Sequence, residues 1–302
     1  MNKQILLFFA LSALGYAVRR KGLLTGAGVR DLIRLNMDIC VPALTFSIAA
    51  THLTPEVAAL QRGFAGPLLG MPAAAAITIA VGMGLGHLTA PLAGLTGKRR
   101  KTYIYILTFA NAAFLPIPLS YAMHGEIGIL YVSLYTLAYT PLFWTLGTWM
   151  LSGKVRWGFF FHPNLFALAF GATAGMTGTH VPDMLMDVLR VLGGSAISLA
   201  LVYAGAVLAE QHLGVGADAR PLAVTAGMKL VIMPALALAV VRWGGVVEPI
   251  GSQALLQAAM PCMAQAGLYA ARFGGDAAIA SKASFLTTLL CVVTVPFFMG
   301  QL

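Results

Sequence analysis

The chain has 302 residues, of which 59% are hydrophobic and only 10% are charged, and its mean hydropathy is +0.84. A soluble domain carries about a quarter charged residues, so this sequence lacks the polar surface that a soluble fold needs. The composition indicates a polytopic membrane protein in contact with lipid and excludes soluble enzymes, nucleic-acid binders and secreted disulfide scaffolds. The net charge of +9 must then be explained by where the basic residues lie.

The apolar stretches predict ten membrane-spanning helices, because most have close to the roughly 20 residues that cross a bilayer. Helix is the expected structure, since backbone groups in lipid must form their hydrogen bonds within the segment. The first span runs into Arg19 without a cleavage site, so we interpret it as a retained helix rather than a signal peptide. The connections are too short to hold a soluble domain. In chain order, the predicted spans are residues 4–20, 30–51, 64–90, 102–122, 127–151, 161–179, 184–210, 221–242, 252–272 and 276–300.

Basic residues are concentrated in alternate connections. The even-numbered connections hold only Arg62 and Arg242, together with acidic residues. By the positive-inside rule, the odd-numbered connections are cytoplasmic and both termini lie outside, in a multi-pass protein of the cell (inner) membrane. The positive charge is therefore interpreted as an orientation signal. The basic residues of the odd-numbered connections are Arg19, Arg20, Lys21, Lys98, Arg99, Arg100, Lys101, Lys154, Arg156 and Arg220.

The three cysteines, Cys40, Cys262 and Cys291, all lie inside apolar stretches. Their number is odd, no CxxC motif is present, and no histidine stands at ligand spacing. We therefore expect no disulfide framework, no metal site and no cofactor.

Short matches about half a chain apart indicate an internal repeat. Residues 31–34 (DLIR) resemble residues 187–190 (DVLR), and the stretch before span five (HGE, 124–126) resembles the stretch before span ten (GGD, 274–276). A unit of five helices has an odd number of crossings, so the second copy must enter the membrane from the opposite side. Inverted repeats of this kind are the architecture of many secondary transporters. The predicted repeats are residues 1–152 and 159–302.

Spans four and nine contain helix breakers at corresponding places. Span four has Asn111 followed by Pro116 and Pro118, and span nine has Pro261 followed by Gln265. Proline removes a backbone donor and disfavours helix in the residue before it. Matched breaks of this kind mark the substrate site in inverted-repeat transporters, so these five residues are predicted to bind substrate. Two proline kinks without a ligand are the alternative.

Three ionisable residues, Asp38, Lys229 and Lys282, fall within or near the predicted spans, where each is costly unless it is paired or hydrated. Asp38 either couples transport to a proton or cation gradient or forms a structural ion pair with Lys282 or Lys229. Lys282 is alternatively a group that offsets substrate charge.

Several motifs resemble those of the auxin efflux carrier family, which is related to the bile acid:sodium symporter-like proteins. The most specific lies in span four, and the short connection at residues 152–160 favours a bacterial-type member over the plant carriers. The resembling motifs are Asn36-x5-Pro42-Ala43-Leu44, Asn111-x2-Phe114-x3-Pro118, Gly125-Glu126-x-Gly128, Leu199-Ala200-Leu201, Gly205-Ala206-x-Leu208, Pro261 and Tyr269-x3-Phe273-Gly274-x-Asp276.

The resemblance implies an all-α membrane protein of ten helices in two inverted five-helix repeats, with broken helices four and nine crossing. It implies a scaffold at about residues 4–51 and 161–210 and a moving transport core at about 64–151 and 221–300. The implied activity is elevator-type carriage of small organic anions, carboxylates in particular, with Asn111 holding the substrate at the crossing. The positive ends of half-helices suit an anion. Pro116 departs from the family, which usually has glycine there.

Other functions stay open alongside the carrier of small organic anions. A cation-coupled symporter of larger amphipathic anions, of the bile-acid type, is the main alternative. An intramembrane enzyme or a channel is less favoured, because Ser195 has no histidine nearby in a suitable position and no catalytic residue is expected. Substrate identity, transport direction, coupling to H⁺ or Na⁺, and a homodimeric state are not determined by the sequence.

Overall fold

The computed structural model describes residues 2–55, 66–155, 163–210 and 218–302, without the side chains of residues 2–9, 67, 208 and 210. Arg62, Arg156 and most of the connection at 152–160 lie outside the described residues. The described ranges form twelve helices and no strand. The helices are α1 (Asn2–Arg20), α2 (Gly26–His52), α3 (Pro67–Thr89), α4 (Gly97–Thr108), α5 (Pro116–His124), α6 (Glu126–Ser152), α7 (Pro163–Thr177), α8 (Asp183–Glu210), α9 (Ala219–Trp243), α10 (Ile250–Ala258), α11 (Ala266–Phe273) and α12 (Ala277–Met299).

Every predicted span coincides with one helix, except spans four and nine, which coincide with the pairs α4 and α5 and α10 and α11. Six helices in the described ranges are long and apolar enough to cross a membrane, namely α2, α3, α6, α8, α9 and α12. An all-α, multi-pass membrane protein is thereby confirmed. The inverted arrangement of ten spans stays a prediction.

Prolines disturb the long helices without breaking them. A five-residue π-helical segment, Asn36–Cys40, precedes Pro42 in α2, and another, Met228–Ile232, precedes Pro234 in α9. A proline lacks the N–H that its helix needs and its ring crowds the carbonyl one turn earlier. The wider π turn accommodates both defects, and such bulges are frequent at functional sites. Lys229 lies in the π segment of α9.

The chain divides into two compact units, and each draws on both halves of the sequence. Unit 1 consists of Met1–Gly70, Ala113–Leu137 and Phe160–Glu210, and unit 2 consists of Met71–Ala112, Ala138–Phe159 and Gln211–Leu302.

In unit 1, α1 and α8 approach each other closely through glycines. A Cβ atom placed on Gly15 would lie 1.8 Å from the carbonyl oxygen of Val202, and one on Gly205 would lie 1.8 Å from that of Ser12. Close approach through small residues is how helices gain packing energy in a membrane, where lipid removes the hydrophobic driving force.

The same unit joins α2 to α8 by a buried amide. Asn36 is fully buried, and its Nδ2 donates to the Ala196 carbonyl at 3.1 Å and to the Tyr203 hydroxyl at 3.3 Å. The amide thus ties residues that are about 160 positions apart in the sequence to one place.

In unit 2, α3 lies against the carboxyl end of α4. A Cβ atom on Gly82 would lie 2.5 Å from the Leu107 carbonyl oxygen, and one on Gly86 would lie 3.1 Å from Ile104. These two contacts show that α3 and α4 pack closely. They also bring α3 to the place where α4 ends.

Candidate functional site

The two predicted breaks are present in the backbone. The first break, residues 109–115, separates α4 from α5, and the second break, residues 259–265, separates α10 from α11. Phe109 has extended backbone angles at the end of α4, and α5 begins at Pro116, so the prolines act where the sequence predicted. Residues 109–112 of the first break and all of the second break belong to unit 2.

The two breaks bond to each other within unit 2. Ala110 and Cys262 form an isolated antiparallel bridge, and the Asn111 N–H donates to the Pro261 carbonyl at 2.9 Å. Backbone groups released from a helix inside a membrane protein must find partners in protein or in a water-filled cavity. Here part of that requirement is met by the opposite break, since the bond joins Asn111 to Pro261.

Side chains from three helices hold the breaks in place. The Tyr139 hydroxyl of α6 donates to the Ala110 carbonyl at 2.5 Å, and the Cys262 N–H donates to the Thr287 hydroxyl of α12 at 3.1 Å. Gln257 of α10 donates weakly to the Ala112 carbonyl at 3.5 Å. Gln257 is fully buried, and its Oε1 accepts no hydrogen bond from the described residues.

Aromatic rings position the first break from the side of α6. The Phe109 ring meets the Tyr139 ring edge-on at 5.8 Å and the Phe143 ring edge-on at 5.4 Å between centroids. Edge-to-face contacts at this distance are favourable beyond the area they bury. Gly147 leaves room for them, since a Cβ there would lie 3.0 Å from Phe109.

Lys229 reaches the carboxyl end of α4 from α9. Its ammonium Nζ donates to the Leu107 carbonyl at 2.8 Å and lies 3.6 Å from the Met233 sulfur, and the residue has 0% of its surface exposed. Leu107 is in the last turn of α4, where the helix dipole places negative partial charge. Lys229 also interacts electrostatically with the Cys262 thiol of the second break.

The other predicted site residues are distributed between the units. Asn111 is 3% exposed, and Gln265 is half-buried directly before α11, both in unit 2. Pro116 and Pro118 are buried in the first turn of α5, in unit 1. The structure therefore joins Asn111 to Pro261 and places Gln265 on the same break as Pro261, while the two prolines of span four belong to the other unit.

The ionisable residues of the predicted spans lie in different surroundings. Asp38 is exposed on α2, and its role in coupling or in an ion pair stays a prediction. Lys282 forms an ion pair with Asp218 at 2.6 Å. Asp218 also pairs with Arg99, whose Nε lies 3.4 Å from Asp276. The hydrogen bond from Lys282, and after it the one from Arg99, hold the pKa of Asp218 below its ordinary value against the opposing effect of burial.

Sequence analysis did not single out Tyr139, Gln257 and Thr287. Gln257 carries a signal that was available, a polar amide in an apolar span four residues before Pro261. Tyr139 and Thr287 carry none, because tyrosine and threonine are ordinary residues of apolar helices and only the fold shows what they bond.

Comparison with known proteins agrees with the motifs. Residues 1–156 and 147–299 match the family described as membrane transport protein. A protein of Methanothermobacter thermautotrophicus described as an uncharacterized transporter is 24% identical over 304 residues, which are 98% of this chain and 97% of that protein.

Proposed function

Because this chain belongs to the membrane transport protein family, that of the auxin efflux carriers, we propose that it is a secondary transporter of small organic anions of the carboxylate class. Both the family and the similar archaeal protein are transporters, which points to a carrier and away from an enzyme. The observation that carries the proposal is the bonded pair of helix breaks in unit 2.

The second break suits an anion because of the helix that follows it. Helix α11 begins at Ala266, and its first N–H groups and positive dipole end adjoin the break. Helix N-termini favour carboxylate and phosphate groups for this reason. The backbone N–H of Asn111 bonds to the Pro261 carbonyl, so Asn111 adjoins the second break, and in the proposal both contact the same ligand.

The proposed architecture extends what the helices support. Ten spans form two inverted repeats, 1–152 and 159–302, with spans four and nine crossing at their breaks. Residues of about 4–51 and 161–210 form the scaffold, and about 64–151 and 221–300 form a core that moves as an elevator. The short matches half a chain apart, HGE at 124–126 and GGD at 274–276 among them, support the repeat. In this arrangement both termini lie outside the cytoplasm.

Transport by the purified protein in liposomes tests the proposal. We expect saturable counterflow of at least one acid from a panel of malonate, malate, lactate and indole-3-acetate. Cholate in the same panel represents the larger amphipathic anions of the alternative function. Repeating the uptake with imposed H⁺ and Na⁺ gradients decides coupling. Unsaturable conductance, chemical conversion of the acids, or no uptake of any of them would contradict the carrier proposal.

The Asn111→Ala variant tests the place of binding. Removing the amide at the break should lower transport of the accepted acid at least tenfold while the unfolding temperature stays near that of the wild type. Asn164→Ala is the matched control, since Asn164 is also buried but lies on α7 in unit 1. Equal transport by Asn111→Ala and wild type would show that the acid binds elsewhere.

A further inference from the structure

Among the residues whose side chains are described, Lys229 is the one buried member of the Asp, Glu, Lys and Arg set. The other cations of unit 2 near it in sequence, Arg220 and Arg242, are exposed near the ends of α9. Lys229 lies in the middle of that helix, in its π segment. An isolated charge at this depth is costly, and such residues are retained where they serve a function.

The described contacts of Lys229 do not balance its charge. Within the described residues, no carboxylate pairs with its ammonium. Its one strong bond is to the Leu107 carbonyl at the end of α4, where the dipole amounts to about half an elementary charge. Its second bond is to a thioether sulfur, a weak acceptor, and an ammonium has three donors. Part of the positive charge of Lys229 and at least one of its three N–H donors therefore have no partner among the described residues.

The location of Lys229 coincides with the proposed substrate site. The Leu107 carbonyl that it contacts lies two residues before the first break, and Ala110 of that break forms a bridge with Cys262 of the second break. A positive charge close to a helix interruption, with no anionic partner among the described residues, is an arrangement that an incoming anion completes.

We propose that the Lys229 ammonium is the countercharge of the transported anion. This inference rests on the proposed function and deepens it, since it assigns the group that selects a carboxylate over a neutral molecule of the same shape. The anion compensates the part of the Lys229 charge that the Leu107 carbonyl of α4 does not balance. An oxygen of the anion accepts a hydrogen bond from the remaining N–H of the ammonium. The Gln257 amide, which donates to Ala112 of the first break and has an Oε1 without a partner among the described residues, then recognises the uncharged part of the ligand.

A purely structural role is the competing explanation, in which Lys229 only caps α4. The two roles differ in what they affect. A cap supports the shape of the site and thus the binding of charged and neutral ligands alike. A countercharge supports the anion alone, and its removal relieves the protein of an uncompensated charge.

The experiment compares acid and amide binding by Lys229→Met, which removes the charge and keeps an unbranched side chain that is one atom shorter. Affinities are measured on the full chain in lipid nanodiscs for whichever acid of the transport panel binds wild type most tightly, and for the amide of that acid. We expect the acid to bind at least tenfold more weakly, the amide to bind as to wild type, and the unfolding temperature to be equal or higher. Lys229→Gln is a second charge-removing variant, Lys229→Arg should retain acid binding, and Lys154→Met is the exposed control.

Each result decides between the possibilities. Unchanged acid affinity in Lys229→Met and Lys229→Gln overturns the countercharge while leaving the carrier proposal intact. Equal losses for acid and amide, or a lower unfolding temperature in both variants, assign Lys229 to capping α4 only. If wild type binds none of the acids, the proposed function fails, and the countercharge fails with it.

Discussion

The hydroxyl of Tyr139 offers the cleanest test of how the breaks are held. It donates to the Ala110 carbonyl at 2.5 Å, and Ala110 is buried. Tyr139→Phe removes this bond but keeps the ring, whose edge-on contact with Phe109 at 5.8 Å does not involve the hydroxyl. The substitution therefore removes the bonding of the hydroxyl and keeps the packing of the ring.

Two effects set its magnitude. Leaving a buried carbonyl without its partner costs about 1–3 kcal/mol in water-soluble proteins. Measured interhelical bonds in membrane proteins are weaker, about 0.6 kcal/mol on average with a maximum of about 1.7. The bond here is short and its acceptor lies in a break, where no helical donor is available, so the upper part of the membrane range applies. We expect Tyr139→Phe to lower the free energy of unfolding by about 1–2 kcal/mol.

The assay is reversible unfolding in mixed micelles, followed by transport of the accepted acid in liposomes. Because the Ala110 peptide adjoins Asn111, we expect transport to fall together with stability. Tyr121→Phe is the control, since Tyr121 is 42% exposed on α5. Tyr139→Phe with wild-type stability and wild-type transport would refute the claim that this hydroxyl positions the first break.

Two further predictions concern packing and charge. Gly205→Leu places a side chain against the Ser12 carbonyl of α1 and should destabilise the protein by about 1–3 kcal/mol or more. Gly194→Leu on the same helix is the control and should be tolerated, because a Cβ atom there has nothing within 4 Å. Equal unfolding free energies for the two variants would refute the close contact. The pKa of Asp218 is lowered in the folded protein, chiefly by its hydrogen bond from Lys282. The ionised carboxylate therefore stabilises the fold above the unfolded carboxyl pKa of about 3.9. This stabilisation is lost as the pH falls through the lower pKa of the folded state. Unfolding measured from neutral to acid pH should show this loss in wild type and less of it in Asp218→Asn, and parallel curves would contradict it.

The sequence anticipated the local features of this protein well. The helix positions follow from the apolar stretches, because a chain in lipid must satisfy its backbone within each helix. The two breaks follow from Pro116, Pro118 and Pro261, because the effect of proline on the preceding turn is local chemistry. The family could be recognised for the same reason, since its motifs in spans two, four, seven and nine are short and contiguous.

Pairing between distant residues was decided only by the tertiary structure. Lys229 meets a carbonyl 122 positions away, and Lys282 pairs with Asp218, 64 positions away. Asp38 is exposed on α2, because the face that a residue takes on a helix depends on what packs against it. Periodicity and proline chemistry act within a few residues, so they determine helices and breaks. The partner of a buried charge depends on how the helices assemble, so only the tertiary structure shows that buried Lys229 contacts the end of α4.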